Sequence, residues 1–382
     1  MILKFLTYYA IHILASAALT AQARPSLGSA LASETITRRA TVCNGHAELC
    51  GRSFGNVTFV GAHDSYAIGV NNLAVNQDQS ITQQLNDGIR MLQMQAHNQS
   101  GVIRLCHTSC ALYDGGTLAD YLATVKKWLD ANPTEVLSLL IVNIDDLPAT
   151  SYDPVFKAAG LDTISYAPPS LTLPATGWPT LGSLIDSGKR LLTFLDNAAD
   201  ITTVPYLLDE FTNIWETAFD VTDPSFDCNV NRTKGDTSTQ MYLINHFLDQ
   251  LVFNQPVPFV AQANVTNSAT GPGSVGAQID NCLAAHALPP NFILVDFYEY
   301  GAGGVFKVAA DLNGVTYNPA TPIATPASTA TGSAGTGKTS VSVTSSSLSS
   351  GSQVLQLYDH NQLIVMLVVG ITSLIIGPLL LR

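Results

Sequence analysis

Apolar runs that are typical of buried strands alternate with helical patterns along most of this chain of 382 residues. The run at 136–144 is almost continuously apolar, which is typical of a parallel strand covered on both faces. It follows a helical pattern at 117–131, which Pro133 ends. Repeated strand–helix units over residues 41–318 favour a single-domain α/β fold, an irregular TIM-type (β/α) barrel, over a doubly wound sheet.

The same periodicities predict the other elements of this domain. Neither pattern is clear at 196–236, so no elements are predicted there. Strands are predicted at 57–62, 89–95, 102–105, 190–195 and 292–297, and helices at 81–87, 181–187, 240–252 and 275–286.

The first 23 residues have the layout of a secretory signal peptide. A lone Lys4 precedes an apolar stretch, and Ala21-Gln22-Ala23 supplies the small residues of a cleavage site. Cleavage after Ala23 would leave a short N-terminal segment, residues 24–40, before the barrel domain.

The last 64 residues form a stalk and a second processing signal. Residues 319–352 are rich in Ser, Thr, Ala, Gly and Pro, which predicts a disordered stalk. Residues 353–382 form a polar spacer and an apolar end, typical of a glycosylphosphatidylinositol (GPI) attachment signal, with Ser350 as the predicted attachment residue. The competing interpretation is a membrane-spanning helix at 363–381, which is long enough but has only Arg382 as a basic flank. We expect the anchored protein to be located at the extracellular face of the plasma membrane or in the cell wall.

Six cysteines fit an oxidising compartment. Sequence alone allows 15 pairings, and proximity favours Cys43–Cys50, Cys106–Cys110 and Cys228–Cys282. A zinc site at Cys106, His107 and Cys110 is disfavoured, because no second pair at ligand spacing stands nearby. Four sequons predict glycosylation at Asn56, Asn98, Asn231 and Asn264.

The charge of the chain excludes some partners. The formal net charge is −12 and no basic cluster is present, which argues against binding to nucleic acid or adsorption onto anionic lipid. Membrane attachment is therefore expected through the lipid anchor alone. No metal ion or cofactor is expected, and the oligomeric state stays open.

Two histidines, His63 and His107, follow apolar runs and so stand at predicted strand ends. Catalytic groups of (β/α) barrels collect at the carboxyl ends of the strands. Of two imidazoles there, one can accept a proton while the other donates one, because the pKa of histidine lies near neutral pH. A single such histidine is more often structural, but two in matching contexts, with Asp64 next to the first, favour catalysis.

At these residues the chain resembles the phosphatidylinositol-specific phospholipase C X-domain superfamily, in particular its secreted fungal phospholipase-C-like phosphodiesterases. The matching stretches span nearly the whole predicted domain in the family's order. They are Gly61-Ala62-His63-Asp64-Ser65, residues 84–90 (QLNDGIR), Cys106-His107, residues 132–136 (NPTEV) and residues 293–297 (ILVDF).

The resemblance implies a role for each matching residue. His63 would be the general base, which takes a proton from a substrate hydroxyl that then attacks phosphorus. Asp296 would orient His63, as a buried acid does for a catalytic imidazole. His107 would be the general acid for the leaving oxygen, and Asp64 would support it.

The chain departs from this family on the strand predicted at 89–95. Bacterial members carry an Arg there and calcium-dependent members carry acidic ligands, whereas this chain has Gln93 and Gln95. The two amides can hydrogen bond to phosphoryl oxygens but supply no charge, which costs on the order of 10²-fold or more in rate. They also remove the carboxylates that would hold calcium. The site is therefore expected to be metal-free and slow.

Three further polar residues are weaker candidates. Asn143 and Asp145 near the end of the run at 136–144 would either bind substrate or satisfy the loop backbone. His97 is a third histidine near the predicted site.

Two functions remain open. The first is a metal-independent phosphoric diester hydrolase or lyase that acts on a phospholipid or phosphoinositide-type phosphodiester. The second is a catalytically degenerate, GPI-anchored surface protein that keeps the barrel.

Overall fold

The computed structural model describes residues 39–327. The predicted signal peptide, the residues before Arg39, the residues after Ala327 and the anchor site at Ser350 lie outside the described residues.

The described chain contains the following elements. The strands are β1 Phe59–Ala62, β2 Met91–Gln99, β3 Val102–His107, β4 Tyr113–Thr117, β5 Leu137–Asn143, β6 Leu191–Leu195, β7 Leu207–Asp209, β8 Ile214–Glu216, β9 Met241–Asn245, β10 Asp249–Val252, β11 Gln255–Pro258 and β12 Phe292–Val295. The helices are α1 Ile81–Asp87, α2 Leu118–Ala131, α3 Ala149–Ala158, α4 Leu181–Asp186, α5 Glu210–Asn213, α6 Ala263–Thr266, α7 Val275–His286 and α8 Gly304–Leu312.

Eight parallel strands form a curled sheet in the order β7-β6-β5-β2-β1-β12-β9-β8. Within residues 39–327, β7 and β8 are not paired with each other, and the short helix α5 joins them directly. The barrel is therefore open at this edge. The predicted class, an irregular TIM-type (β/α) barrel, is confirmed.

Side chains on successive strand positions belong to two different cores. In β12, Phe292 and Leu294 pack in a core that includes Phe59 and Leu140, while Ile293 and Val295 pack in the core that holds the outer helices. Alternation of this kind follows from the two-residue period of a strand. Because both faces are apolar, the strands read as continuous hydrophobic runs in the sequence.

The helix predicted at 240–252 is wrong. This segment forms β9, a short connection without regular structure and β10, and β9 pairs with β8 and β12. All five residues of β9 are buried, so the run has no alternation that distinguishes a strand from a buried helix. The unassigned region 196–236 contains β7, α5 and β8.

Strand β2 extends beyond the barrel and carries an antiparallel addition. Its last residues pair with β3, and β3 pairs with β4. The hairpin turns at Ser100 and Gly101, both of which have positive φ, 54° and 87°. Because β3 returns toward the barrel, its last residue, His107, reaches the end of the sheet at which β1 ends.

The six cysteines form three disulfides, the same pairs that proximity favours in the sequence. The Cα–Cα distances are 5.1 Å for Cys43–Cys50, 4.8 Å for Cys106–Cys110 and 5.2 Å for Cys228–Cys282. The four sequon asparagines, Asn56, Asn98, Asn231 and Asn264, are exposed.

The described chain continues past residue 318, where the sequence places the end of the domain. Residues 319–327, assigned to the stalk by composition, lie against the barrel, and Ile323 packs on its outer core. None of the helices in the described part of the chain is long and apolar enough to cross a membrane.

Candidate active site

A cavity of about 500 Å³ opens at the carboxyl ends of the barrel strands. Both His63 and His107 line it, as do Gln93 and Gln95 of β2. A second cavity, of about 400 Å³, lies near Thr58, Arg90 and Glu135, at the residues that precede or begin β1, β2 and β5. The two histidines and the usual site position in this fold single out the first cavity.

His63 is held by a buried carboxylate and an aromatic ring. Its Nδ1 lies 2.9 Å from Oδ1 of Asp296, which directly follows β12. Asn76 donates to the same carboxylate at 3.1 and 3.2 Å. The His63 ring stacks on Phe247, with centroids 3.8 Å apart. These contacts direct Nε2 away from Asp296 and toward Asp64.

His107 is fixed through its other ring nitrogen. Nδ1 contacts the carbonyl oxygen of Ala74 at 2.9 Å, which requires a proton on Nδ1. Its Nε2 therefore faces the site, 3.6 Å from Oδ2 of Asp64. The same Oδ2 lies 3.8 Å from Nε2 of His63. The structure thus brings the Nε2 atoms of both histidines to one carboxylate.

Asp64 is fully buried, and both glutamines of β2 hold it. Oε1 of Gln93 accepts from the Asp64 backbone at 2.6 Å, and Nε2 of Gln95 donates to Oδ2 at 2.8 Å. Oε1 of Gln95 also accepts from the backbone N–H of Thr108 at 3.0 Å. The amide of Gln95 therefore links the segment after β1 to the segment after His107.

The electrostatics of the site favour a charged His63. Burial disfavours its imidazolium form, but the carboxylates of Asp296 and Asp64 outweigh this effect and raise the pKa of His63 to about 9. Burial raises the pKa of Asp249, at the start of β10, to about 8. Asp249 also lines the cavity, so a second titratable group with a raised pKa lies in the same cavity as His63.

The opposite wall of the cavity lies at the open edge of the barrel. Glu210, Glu216 and Arg232 line it there, and Arg232 forms an ion pair with Glu216. The guanidinium also lies over the ring of Phe219, 4.5 Å from its centroid. Oε1 of Glu210 is buried and has no hydrogen-bond partner among the described residues. Burial and the nearby Glu216 raise the pKa of Glu210 well above its usual value.

Asn143 lines the cavity, but its polar atoms serve the loop that follows β5. Its Nδ2 donates to Leu147 and Asn197, and its Oδ1 accepts from Leu147 and Tyr152. These contacts satisfy the loop, as one of the two alternatives from the sequence expects, while the residue itself stays in the cavity lining.

The structure does not bring Asp145 or His97 into the cavity. Asp145 accepts the backbone N–H of Asn98 at 2.6 Å, on the antiparallel addition. His97 faces Arg104 in the β2–β3 pairing, and burial lowers its pKa.

Sequence reasoning missed the residues of the far wall. Arg232, Glu210 and Glu216 lie in or next to the region without a clear pattern, and Asp249 lies in the segment mistaken for a helix. Asn76 was also missed, since a lone amide in a loop carries no local signal. Arg232 is the one Arg or Lys that lines this cavity within residues 39–327.

Comparison with known proteins identifies relatives over most of this domain. The family model described as PI-PLC X 1 matches residues 49–313. A PI-PLC X domain-containing protein 1 of Arthroderma benhamiae is 45% identical over 73% of this chain and 92% of that protein. An uncharacterized secreted protein of the same fungus is 44% identical over 76% of this chain and 69% of that protein.

Among solved structures, a phosphatidylinositol-specific phospholipase C from Staphylococcus aureus is 14% identical, with a TM-score of 0.46 over 70% of this chain and 94% of that chain. The family match and the two fungal relatives show that this chain belongs to the PI-PLC X-domain family.

Proposed function

We propose that this protein is a phosphoric diester hydrolase of phospholipase-C-like type, which acts by metal-independent acid–base catalysis. The observation that carries the proposal is the convergence of the His63 and His107 Nε2 atoms, 3.8 and 3.6 Å from the same oxygen of Asp64, beside one cavity. A general base and a general acid on opposite sides of a phosphorus atom need this proximity.

The reaction proceeds within the substrate. Nε2 of His63 takes the proton of a substrate hydroxyl, and Asp296 keeps the imidazole in position through Nδ1. The hydroxyl oxygen attacks the adjacent phosphorus, and the bond from phosphorus to the leaving oxygen breaks. His107 gives that oxygen its proton from Nε2, and Asp64 supports His107 with its Oδ2 3.6 Å from that nitrogen. No side chain forms a covalent intermediate.

The substrate is a phosphodiester whose head group carries hydroxyls, of the phospholipid or phosphoinositide type. Support comes from the far wall, where Glu210, Glu216 and Arg232 offer hydrogen-bonding groups beside the cavity. Gln93 and Gln95 take part by holding Asp64, and Gln93 also faces the cavity. Asn143 shapes the cavity wall. We further propose that the protein is secreted, as the name of one fungal relative states for that protein, glycosylated at its sequons, and held at the cell surface by a GPI anchor at Ser350.

The competing function is a degenerate surface protein. Gln93 and Gln95 favour it, because β2 offers no cation to a phosphorane and the amide of Gln95 already has partners at both ends.

The deciding experiment assays the secreted protein on inositol, glycerol and choline phosphodiesters, with and without EDTA. Activity should be insensitive to EDTA and should fall about 10²-fold or more in His63→Ala and in His107→Ala. His97→Ala is the matched control, since His97 lies outside the cavity, and it should retain activity. Equal activity without both catalytic histidines would refute the mechanism. Absence of activity in the wild type on every phosphodiester would favour the degenerate surface protein.

A further inference from the structure

Residues 319–327, which we call the strap, run along one side of the barrel. The N–H of Ala324 donates to Oδ2 of Asp87 at 3.1 Å, and the N–H of Ala327 donates to Oδ2 of Asp78 at 2.9 Å. Nε2 of Gln79 donates to the carbonyl of Thr325 at 3.0 Å. Ile323 packs against the outer core. The strap is therefore joined to the barrel by backbone hydrogen bonds and by one apolar side chain.

The partners of the strap belong to two segments beside His63. Asp78 and Gln79 follow Asn76, which donates to the Asp296 carboxylate. The carbonyl of Asn76 also accepts from the N–H of Phe297 at 2.9 Å. The first segment, 76–79, is thus tied to the second, 296–300, at the point where both contact the catalytic base.

Side chains of the second segment reach the same carboxylates that hold the strap. The hydroxyl of Tyr298 donates to Oδ2 of Asp87 at 2.6 Å, and that of Tyr300 donates to Oδ2 of Asp78 at 3.3 Å. Glu299 is 3% exposed, and its Oε1 lies 3.5 Å from Nε2 of Gln79. Each carboxylate that binds the strap therefore also binds the segment that begins with Asp296.

We propose that the strap is a positioning element of the active site, which holds segments 76–79 and 296–300 together and so fixes Asn76 and Asp296 against His63. This inference rests on the proposed function for its effect on catalysis, while its effect on the two segments stands apart from any activity. The strap touches no reacting atom in this arrangement. Its loss should lower kcat, because the base is no longer held in one geometry, and should leave KM nearly unchanged.

The test uses the full-length chain with Ile323→Asp, which places a carboxylate where an apolar side chain packs. Thr321→Asp is the matched control, because Thr321 is an exposed strap residue and receives the same charge. Ile323→Val is the conservative variant and should keep wild-type behaviour. Ala324→Pro removes the N–H that binds Asp87 and serves as a second variant if Ile323→Asp does not fold.

We expect Ile323→Asp to lower kcat by about 10- to 100-fold, as small misplacements of catalytic groups do, with KM within about twofold of wild type. Amide hydrogen exchange should rise in segments 76–79 and 296–300 but not in β5 or β6. The His63 pKa measured by NMR should fall, because Asp296 is less firmly held beside the imidazole.

The outcomes separate this inference from the proposed function. If the wild type cleaves no phosphodiester, the proposed function fails, but the exchange and NMR measurements still decide the role of the strap. Unchanged exchange in both segments, or an equal rise throughout the barrel with a matching fall in melting temperature, would overturn the positioning role.

Discussion

Nε2 of Gln95 donates a 2.8 Å hydrogen bond to Oδ2 of Asp64. This places an amide from β2 against the carboxylate that lies near the Nε2 atoms of both His63 and His107. At the strand position where the resemblance implies a charge in bacterial members, this chain has an amide that is hydrogen bonded to Asp64. The same amide also binds Thr108, next to His107, so one side chain couples both candidate catalytic segments.

Restoring charge at this position should raise activity. An Arg in place of Gln95 can keep one hydrogen bond to Asp64 and still present N–H groups to the phosphoryl oxygens. We expect Gln95→Arg to increase kcat on a phosphodiester that the wild type cleaves, by up to about 10²-fold. Gln95→Leu is the matched control of similar size, and it should lower kcat because Asp64 loses its donor. A lower kcat in both variants would show that the site has adapted to the neutral amide.

The rate should depend on pH through His63. Its pKa is raised to about 9, and a general base acts only when unprotonated, so kcat/KM should rise with pH toward about 9. Asp296→Asn removes the negative charge 2.9 Å from Nδ1 and should move this rising limb to lower pH while it reduces the maximal rate. Asp145→Asn, a change outside the cavity, should leave the limb in place. A limb that stays at the same pH in Asp296→Asn would contradict the assignment of His63 as base.

The stability of the far wall should depend on the Arg232–Glu216 pair. Glu216 is 2% exposed, and Arg232→Met leaves its carboxylate buried without a cation. A fully buried pair loses about 3–5 kcal/mol in this way, and we expect about 1–3 kcal/mol here because Arg232 stays partly exposed. The double variant Arg232→Met with Glu216→Gln should recover most of the loss, which denaturant unfolding measures. Simple additivity of the two changes would argue that the ion pair is not coupled.

That destabilisation should also change with pH in a defined direction. Burial already raises the pKa of Glu216, and the charge of Arg232 opposes this rise. Without Arg232 the folded-state pKa of Glu216 increases further above its unfolded value. The difference in stability between variant and wild type is therefore smallest at low pH, where Glu216 is protonated in both folded proteins. It widens as pH rises from the folded-state pKa of Glu216 in the wild type to the higher folded-state pKa in the variant. A gap that is constant with pH would point to lost packing on Phe219 instead.

The buried Glu299 gives a separate pH effect. Burial and the nearby Asp78 help raise the pKa of Glu299 to about 8. The contribution of Glu299 to the free energy of unfolding is therefore fully present below the unfolded pKa of Glu and is lost as pH rises toward about 8. Glu299→Gln should therefore gain stability over wild type as pH increases from about 4.5 to about 8, by up to a few kcal/mol. Thermal unfolding across this range measures the difference. Parallel curves for the two proteins would show that Glu299 does not titrate in the folded state.

Attachment to the cell surface is tested at the end of the chain. A stop after Ser352 should release the protein into the medium, because it removes the spacer and apolar end. Replacing Ser349, Ser350 and Gly351 with Leu should block attachment, whereas the same replacement at Ser345, Ser346 and Ser347 should not. A phospholipase that cleaves GPI anchors should release the full-length protein. Retention on the membrane after that treatment would mean that residues 363–381 span the bilayer.

Local patterns were sufficient for the barrel class and for most of its strands. The apolar run that contains β5 and the run that contains β12 each report burial on both faces, and parallel sheets with helical connections follow from that. Burial also explains the failure at β9, because a strand covered on both sides loses the alternation that identifies strands. Composition also placed the strap in the predicted stalk. Composition describes side chains only, whereas the strap is held mainly by backbone N–H groups, which every residue except proline has.

His63, Asp64 and His107 could be identified from the sequence as candidate catalytic residues, because each stands at the end of an apolar run, and the resemblance added Asp296. Only the tertiary structure decided how they meet. His107 reaches the site on an antiparallel strand that pairs with an extended β2, not on a barrel strand of its own. Oδ2 of Asp64 lies 3.8 Å from Nε2 of His63 as well as 3.6 Å from Nε2 of His107, and Arg232 comes from the far edge of the open barrel. Such relationships depend on pairing between segments far apart in the chain, and sequence periodicity carries no information on that pairing.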